Sequence, residues 1–292
     1  MNLALHSRPQ TRFALAARLL AVVAFAAPLG ACSSIEGLFA EKYETKILPD
    51  TPADDIYNQG LARLQKKDYE GASKKFEEID KQHPYSSYSK KGMIMTTYAE
   101  YEAGKYAEAI ASGQRFIGRY PNSPDIPYAY YLVGMSYYHQ IPDIARDQET
   151  AEKALAAFNI VATKYPKSEY AEDAKYKIQV TRDQLAGKEM SIGRYYLRRN
   201  NFTSAINRFR DVLGKYQTTR HAEEALMRLT EAYLGLGIVH EAQTAAAVLG
   251  HNFPDSPWYK EAFAKLQGAG VEPREDQGSW ISKLFRGKTG QG

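Results

Sequence analysis

The chain has 292 residues, 44% hydrophobic and 25% charged; these are ordinary proportions for a soluble protein, and they exclude a wholly disordered chain and a polytopic membrane protein. The formal charge of +4 owes most to Arg8, Arg12 and Arg18; without those three of the 38 basic residues, 35 face 34 acidic ones, so charge makes no case for nucleic acid. The one cysteine excludes an internal disulfide and a zinc site built from cysteines.

Residues 1–31 read as a processing signal. Three arginines and no acids precede an apolar run of eleven, Leu19–Leu29, too short for a spanning helix, which needs about 20 apolar residues. It fits the apolar region of a signal peptide. Leu29-Gly30-Ala31-Cys32 resembles a bacterial lipobox, in which the cysteine becomes the lipidated first residue. Stable attachment needs more than one acyl chain, and a bacterial lipoprotein, by that resemblance, carries three. Ser33 rather than Asp follows, which favours sorting to the outer membrane. Residues 32–50 show no sustained period and read as a tether.

Residues 51–267 are expected to form an array of helical repeats. Five segments are alike: His83-Pro84-Tyr85-Ser86, Tyr120-Pro121-Asn122-Ser123, Tyr165-Pro166-Lys167-Ser168, Tyr216-Gln217-Thr218-Thr219 and Phe253-Pro254-Asp255-Ser256. Twelve residues before each Pro, or before Gln217, stands Ala72, Ala109, Ala154, Ala205 or Ala242. Four residues further on come Phe76, Gly113, Phe158, Phe209 and Ala246. The pattern resembles the tetratricopeptide repeat, a helix–turn–helix unit of about 34 residues. The alanine lets helix B approach helix A, and the residue four on lies on the same face. Proline ends helix B, and the following Ser or Thr is expected to cap the next helix A. Asp68, Gly104, Asn200-Asn201 and Gly235/Gly237 suit the turns inside repeats. The expected fold is therefore all-α: a superhelix of five repeats and about ten helices. Spacings of 37, 45, 51 and 37 residues locate two irregularities. Eight extra residues around Gln140–Gln148 fall in the turn of repeat three. The fourth interval implies one long helix, from Glu169 to Arg199 with Gly187 as a candidate kink, which splits the array into front and back parts.

The tail, 268–292, is expected to be disordered. It holds a short basic amphipathic stretch, Ser279–Lys288, suited to a membrane surface or another lipoprotein, or simply frayed.

No catalytic constellation is found. None of the six histidines forms an i, i+4 pair with a glutamate of the zinc-protease kind. Gly235-Leu236-Gly237 lacks the third glycine and the preceding strand of a phosphate loop, and no nucleophile elbow is present. The expectation is a non-enzyme with no cofactor beyond lipid on Cys32 and no metal.

What remains is a binding surface. Helix A lines the concave face of such arrays. Its inward positions are Tyr57, Leu61 and Leu64; Ile94, Tyr98 and Tyr101; and Tyr128, Tyr131, Met135 and Tyr138. Tyrosine gives contact area at low entropy cost plus a hydroxyl, which suits an extended peptide with aromatic side chains; inter-repeat core is the alternative use. Arg194, Arg198, Arg199, Arg208 and Arg210 form a basic cluster, either for an acidic partner or as a solvated face.

A lipobox followed by five such repeats resembles the BamD family of the outer-membrane β-barrel assembly machinery. The resemblance is carried by Tyr128–Tyr137 with Arg146-Asp147-Gln148, by Tyr165–Ala174, by Gly193-Arg194-Tyr195-Tyr196 and by Ala205–Phe209. It covers roughly residues 32–260; Gln217 departs from the repeat pattern. It implies a lipid-anchored scaffold on the periplasmic face of the outer membrane. The scaffold would bind the BamA translocase through a POTRA domain, other Bam lipoproteins, and the C-terminal signal of unfolded outer-membrane proteins. The front repeats would hold that signal in the tyrosine groove. Arg194, Arg198 and above all Arg208 would dock the translocase. The rival readings are a repeat lipoprotein serving as adaptor for peptidoglycan hydrolases or pilus secretin assembly, and an envelope enzyme with a repeat appendage.

Overall fold

The computed structural model describes residues 51–141 and 148–286. The signal peptide, Cys32, the whole tether and most of the repeat-three insertion lie outside the described residues. Thr51 onward forms a unit of its own.

Twelve helices and no strand occur among the described residues. Repeat one is α1 (Ala53–Gln65) and α2 (Tyr69–Gln82). Repeat two is α3 (Ser87–Glu102) and α4 (Tyr106–Arg119). Repeat three is α5 (Ile126–His139) and α6 (Glu149–Lys164). Repeat four is α7 (Ala171–Arg198) and α8 (Phe202–Lys215). Repeat five is α9 (His221–Gly235) and α10 (Val239–Asn252). Then come α11 (Pro257–Gly268) and the short α12 (Trp280–Arg286). The last two extend the ten helices of the repeats.

The turns inside repeats share one device. Lys67, Gly104, Asn200 and Gly237 all have φ between 56° and 73°. The next residue's N–H then reaches back over the helix end: Asp68 to Arg63, Lys105 to Glu100, Asn201 to Tyr196 and Ile238 to Tyr233. This satisfies carbonyls that a helix terminus leaves open. The left-handed residue in repeat one is thus Lys67, not Asp68. Asp68 instead caps α2, accepting from Gly71 N, and Asn201 caps α8 in the same way. Gly235 has another use: a Cβ there would meet the Phe202 ring at 2.5 Å.

The turns between repeats are equally uniform. His83, Tyr120, Tyr165, Tyr216 and Phe253 end their helices with φ between −129° and −139°. In each turn the Ser or Thr three residues on donates its N–H back to that residue's carbonyl, and its own carbonyl accepts from three residues further. Gln217 leaves this turn unchanged, because backbone bonds close it. Side-chain capping is less regular than expected. Ser86 and Ser256 accept from Tyr88 N and Trp258 N. Thr219 Oγ1 donates back to the Tyr216 carbonyl, and Ser168 Oγ, buried, has no partner. At those two repeats the backbone turn alone carries the chain into the helix.

Packing follows the repeat register. The five alanines are fully buried. Phe76, Phe158 and Phe209, each 0% exposed, lie against Gly60, Gly134 and Gly193 of the partner helix A, where a Cβ would come within 2.4–2.8 Å of the ring. Burying each ring contributes roughly 1.5–3 kcal/mol. In repeat two the small residue is Gly113 itself, close against Val133.

The long helix α7, 28 residues, belongs to two cores. Its first half gives Ala174 and Ile178 to a cluster with Met135, Phe158 and Val161. Its second half gives Ala186, Met190 and Leu197 to the cluster of repeats four and five. It closes repeat three and opens repeat four.

The tail differs from the expectation of disorder. After Gly270 the chain runs back along α10: Arg274 N donates to the Gln243 carbonyl, Gln243 Nε2 to the Glu272 carbonyl, and Asp276 N to Thr244 Oγ1. Ile281 of α12 is 0% exposed. Packing of Trp280, Ile281, Leu284 and Phe285 on the last core orders the segment through Arg286.

Candidate functional site

The front repeats build an aromatic surface from three helices. Tyr98 and Tyr101 come from α3, Tyr128, Tyr131 and Tyr138 from α5, and all five are half-buried. Tyr170, which precedes α7, and Asp173 and Lys177 of its first turns add to it. Tyr170 stacks on Tyr128 at 4.9 Å between centroids and tilts against Tyr131 at 5.2 Å. Tyr131 donates its hydroxyl proton to Asp173 Oδ2 at 2.7 Å. Tyr101 Oη lies 3.0 Å from His139 Nε2, and Tyr106 stacks on the same imidazole at 5.2 Å. Lys177 Nζ sits 5.0 Å from the Tyr138 ring centre, within cation–π range.

Burial sets the chemistry of these hydroxyls. It pushes Tyr98, Tyr101 and Tyr138 above the ordinary tyrosine range. It pushes Tyr128 and Tyr131 further, Tyr131 with help from its bond to Asp173. Tyr170 is pushed up to about 12 by burial and its bond to Glu169. At neutral pH the hydroxyls of Tyr98, Tyr101, Tyr128, Tyr131, Tyr138 and Tyr170 are protonated, and those of Tyr131 and Tyr170 are already engaged by Asp173 and Glu169. The surface is thus apolar in area, neutral in its donors, and bordered by the exposed carboxylates of Glu102 and Asp173.

Not all of the expected groove residues join it. Met135 is buried in the core beside Ala154 and Phe158, and Ile94 is buried with Phe116 and Leu132. These side chains are buried against the packed helices of their own and the next repeat. Tyr57 and Leu61, half-buried like the tyrosines above, pack against the core of repeat one, where Tyr57 lies 5.5 Å from Phe76 and 5.4 Å from Tyr88. Tyr170 and Asp173 were not picked out from sequence, although a signal existed. Asp173 stands seven residues after Pro166 as Tyr128 stands seven after Pro121, so carrying the repeat register into α7 selects it.

The five back-repeat arginines do not form one patch. Arg194 pairs with Glu224 at 2.8 Å. Glu224 also holds Arg228 at 3.4 Å, and Arg228 pairs with Glu231 at 2.9 Å. Arg194, Arg198 and Arg228 with Leu197 and Glu231 line a cavity of about 200 Å³. Arg198 is exposed and has no ion pair among the described residues. Arg208 pairs with Glu189 of α7 at 3.1 Å. With about 3.6 residues per turn, Glu189 and Arg198, nine residues apart, point to opposite sides of α7. Arg208 and Arg198 therefore serve different faces. Arg199 covers Tyr195, and Arg210 covers Trp280. Among the described residues no group of His, Cys, Asp and Glu is placed to hold a metal.

A family model described as outer membrane lipoprotein (YfiO) matches residues 49–249. The outer membrane protein assembly factor BamD of Caulobacter vibrioides is 43% identical over 254 residues, 87% of this chain and 82% of that protein. The chain belongs to the BamD family. The BamD of Rickettsia prowazekii is also 43% identical, over 73% of this chain and 84% of its own length. The BamD of Neisseria meningitidis serogroup A is 30% identical over 84% and 95%. Among solved structures, the TPR2AB-domain:pHSP90-complex of yeast Sti1 matches with a TM-score of 0.38 and 13% identity, over 75% of this chain and 84% of that one. The repeat assignment rests on the helix order and packing above.

Proposed function

We propose that this BamD-family chain is a non-enzymatic scaffold of outer-membrane protein assembly, held to the periplasmic face of the outer membrane by lipid on Cys32. Its aromatic surface receives the C-terminal signal of unfolded β-barrel proteins, a strand ending in an aromatic residue. Its back repeats dock a BamA-type translocase through a POTRA domain and meet other Bam lipoproteins. Convergence of Tyr98, Tyr101, Tyr128, Tyr131 and Tyr138 with Tyr170 carries this reading. An extended peptide finds there stacking area for its aromatic end and hydroxyl donors for its carbonyls.

The test is a labelled decapeptide from the C-terminus of a barrel protein, ending in Phe, titrated against the mature chain. Its affinity is expected to fall at least tenfold in a Tyr98→Ala, Tyr131→Ala, Tyr138→Ala variant that stays helical by circular dichroism. A helical variant that binds as before overturns the groove. Loss of helicity overturns it too, because the tyrosines then belong to the core. Cys32→Ser is expected to move the chain from the membrane to the soluble fraction, and unchanged fractionation overturns the anchor.

A further inference from the structure

The outer face of the array carries a second site. On that face adjacent B helices flank a groove whose floor is the helix A between them. In repeats four and five the chain fills this groove itself. Trp280 Nε1 donates to Tyr233 Oη on the α9 floor at 3.1 Å, Arg210 of α8 lies over the Trp280 ring at 5.0 Å, and Ser279 Oγ donates to Glu241 of α10.

The corresponding groove of repeats one and two, between α2 and α4 over α3, is open. It is a cavity of about 490 Å³ whose lining includes Phe76, Glu77, Asp80, Met93, Arg115 and Arg119. The two grooves match residue for residue. Tyr233 stands nine residues before Ala242, as Glu100 stands nine before Ala109. Arg210 follows Ala205 by five, as Glu77 follows Ala72. Leu213 corresponds to Asp80, and Val248 to Arg115. An apolar groove filled from within has become, at the front, a charged groove left open.

Among the residues that line it, two carboxylates, Glu77 and Asp80, face three cations, Lys81, Arg115 and Arg119. Arg119 Nη1 engages both oxygens of Asp80, at 2.8 and 3.1 Å, and Lys81 pairs with Glu77 at 3.4 Å. Glu100, 6% exposed, accepts from Ser112 Oγ; burial raises its pKa, against the opposite pull of Ser112 and of the Arg115 charge. Arg115 has no hydrogen bond or ion pair among the described residues.

We infer that the α2–α4 groove is a docking site for an acidic amphipathic helix of a partner protein, seated as α12 is seated on α8 and α10. The helix sets an apolar side chain beside Met93 and a carboxylate on Arg115. A second copy's α12 is the wrong occupant by charge, since Arg286, which shares a cavity with Val248 in the back groove, would meet that arginine.

The probe is a fluorescein-labelled peptide of residues 277–286 carrying Lys283→Glu and Arg286→Glu, followed by anisotropy against the mature chain. Saturable binding is expected, weakened at least tenfold by Arg115→Glu and unchanged by Arg210→Ala. Arg115 is exposed, so its variant is expected to keep the wild-type circular dichroism. Absence of binding up to millimolar peptide overturns the proposal, and so does equal affinity for Arg115→Glu. Sensitivity to Arg210→Ala instead means that the peptide displaces α12 from the back groove. Concentration-dependent dimerisation of the free chain, abolished by Arg115→Glu, assigns the groove to a second copy. Either result overturns the foreign helix.

Discussion

A Cβ on Gly193 would sit 2.4 Å from Cε1 of Phe209, so the two helices of repeat four touch through a glycine that no other residue replaces without movement. Gly193→Ala must push aside a ring that is 0% exposed. It is expected to destabilise by about 1–3 kcal/mol, the usual cost of overpacking. Gly214, in α8, has nothing within 4 Å of its Cβ position, and Gly214→Ala is expected to stabilise by about 0.5–1 kcal/mol through helix propensity and unfolded-state entropy. Urea unfolding of both variants checks the pair. Equal effects would show that contact with the ring does not decide the glycine.

The left-handed turn residues give a second test. Lys67 has φ 59° and Asn200 φ 56°, a region that costs an ordinary L-residue roughly 1–2 kcal/mol and asparagine less. Lys67→Gly is expected to raise stability by about 0.5–1 kcal/mol, and Asn200→Gly by less. Neither residue is buried, so packing is not disturbed. A loss of stability in Lys67→Gly would mean that its side chain, not its backbone, matters at that turn.

The aromatic surface predicts an alkaline limit. Unfolded tyrosines lose their protons near 10.0, whereas Tyr170 holds its proton to about 12 and Tyr128 and Tyr131 hold theirs longer. Between those values the unfolded chain binds fewer protons than the native one. Stability is therefore fully present below pH 10 and falls as pH rises through the window. Urea midpoints are expected to stay level up to about pH 9.5 in respect of these groups and to fall above about 10, with less of a fall in Tyr128→Phe, Tyr131→Phe. An equal fall in that variant would remove the two tyrosines as its cause.

Much of the fold was legible because the repeat writes its packing into fixed positions. The alanine, the residue four on and the helix-ending segment specify helix–helix contacts with short sequence separation, and the long α7 followed from spacing alone. The site was legible only in part. Tyr98 and Met135 both read as inward on a helical wheel, but which of them meets solvent depends on the neighbouring repeat, and that is tertiary information. The order of residues 271–286 was hidden for a similar reason. Gly and Pro suggested a frayed end, whereas Trp280 and Ile281 find partners on α8 to α10 that no local pattern names. The arginines looked like one cluster because sequence proximity does not record which side of α7 a partner occupies.

That separation gives the last prediction. Arg198 opens onto the cavity beside Arg194 and Arg228, while Arg208 is held by Glu189 on the opposite side of α7. Both are at least partly exposed, so an ion pair there contributes only about 0–1 kcal/mol, and Arg198→Glu and Arg208→Glu are both expected to fold. Pull-downs of the mature chain from detergent-solubilised envelopes therefore separate the two faces. Loss of a POTRA-bearing barrel protein in Arg208→Glu alone places docking on the Arg208 side, and restoration by Glu189→Arg in the same chain would mean that the internal pair, not a direct contact, is what the partner needs. Loss in Arg198→Glu alone places docking on the concave cavity. Recovery undiminished in both variants would remove the arginines from the docking surface altogether.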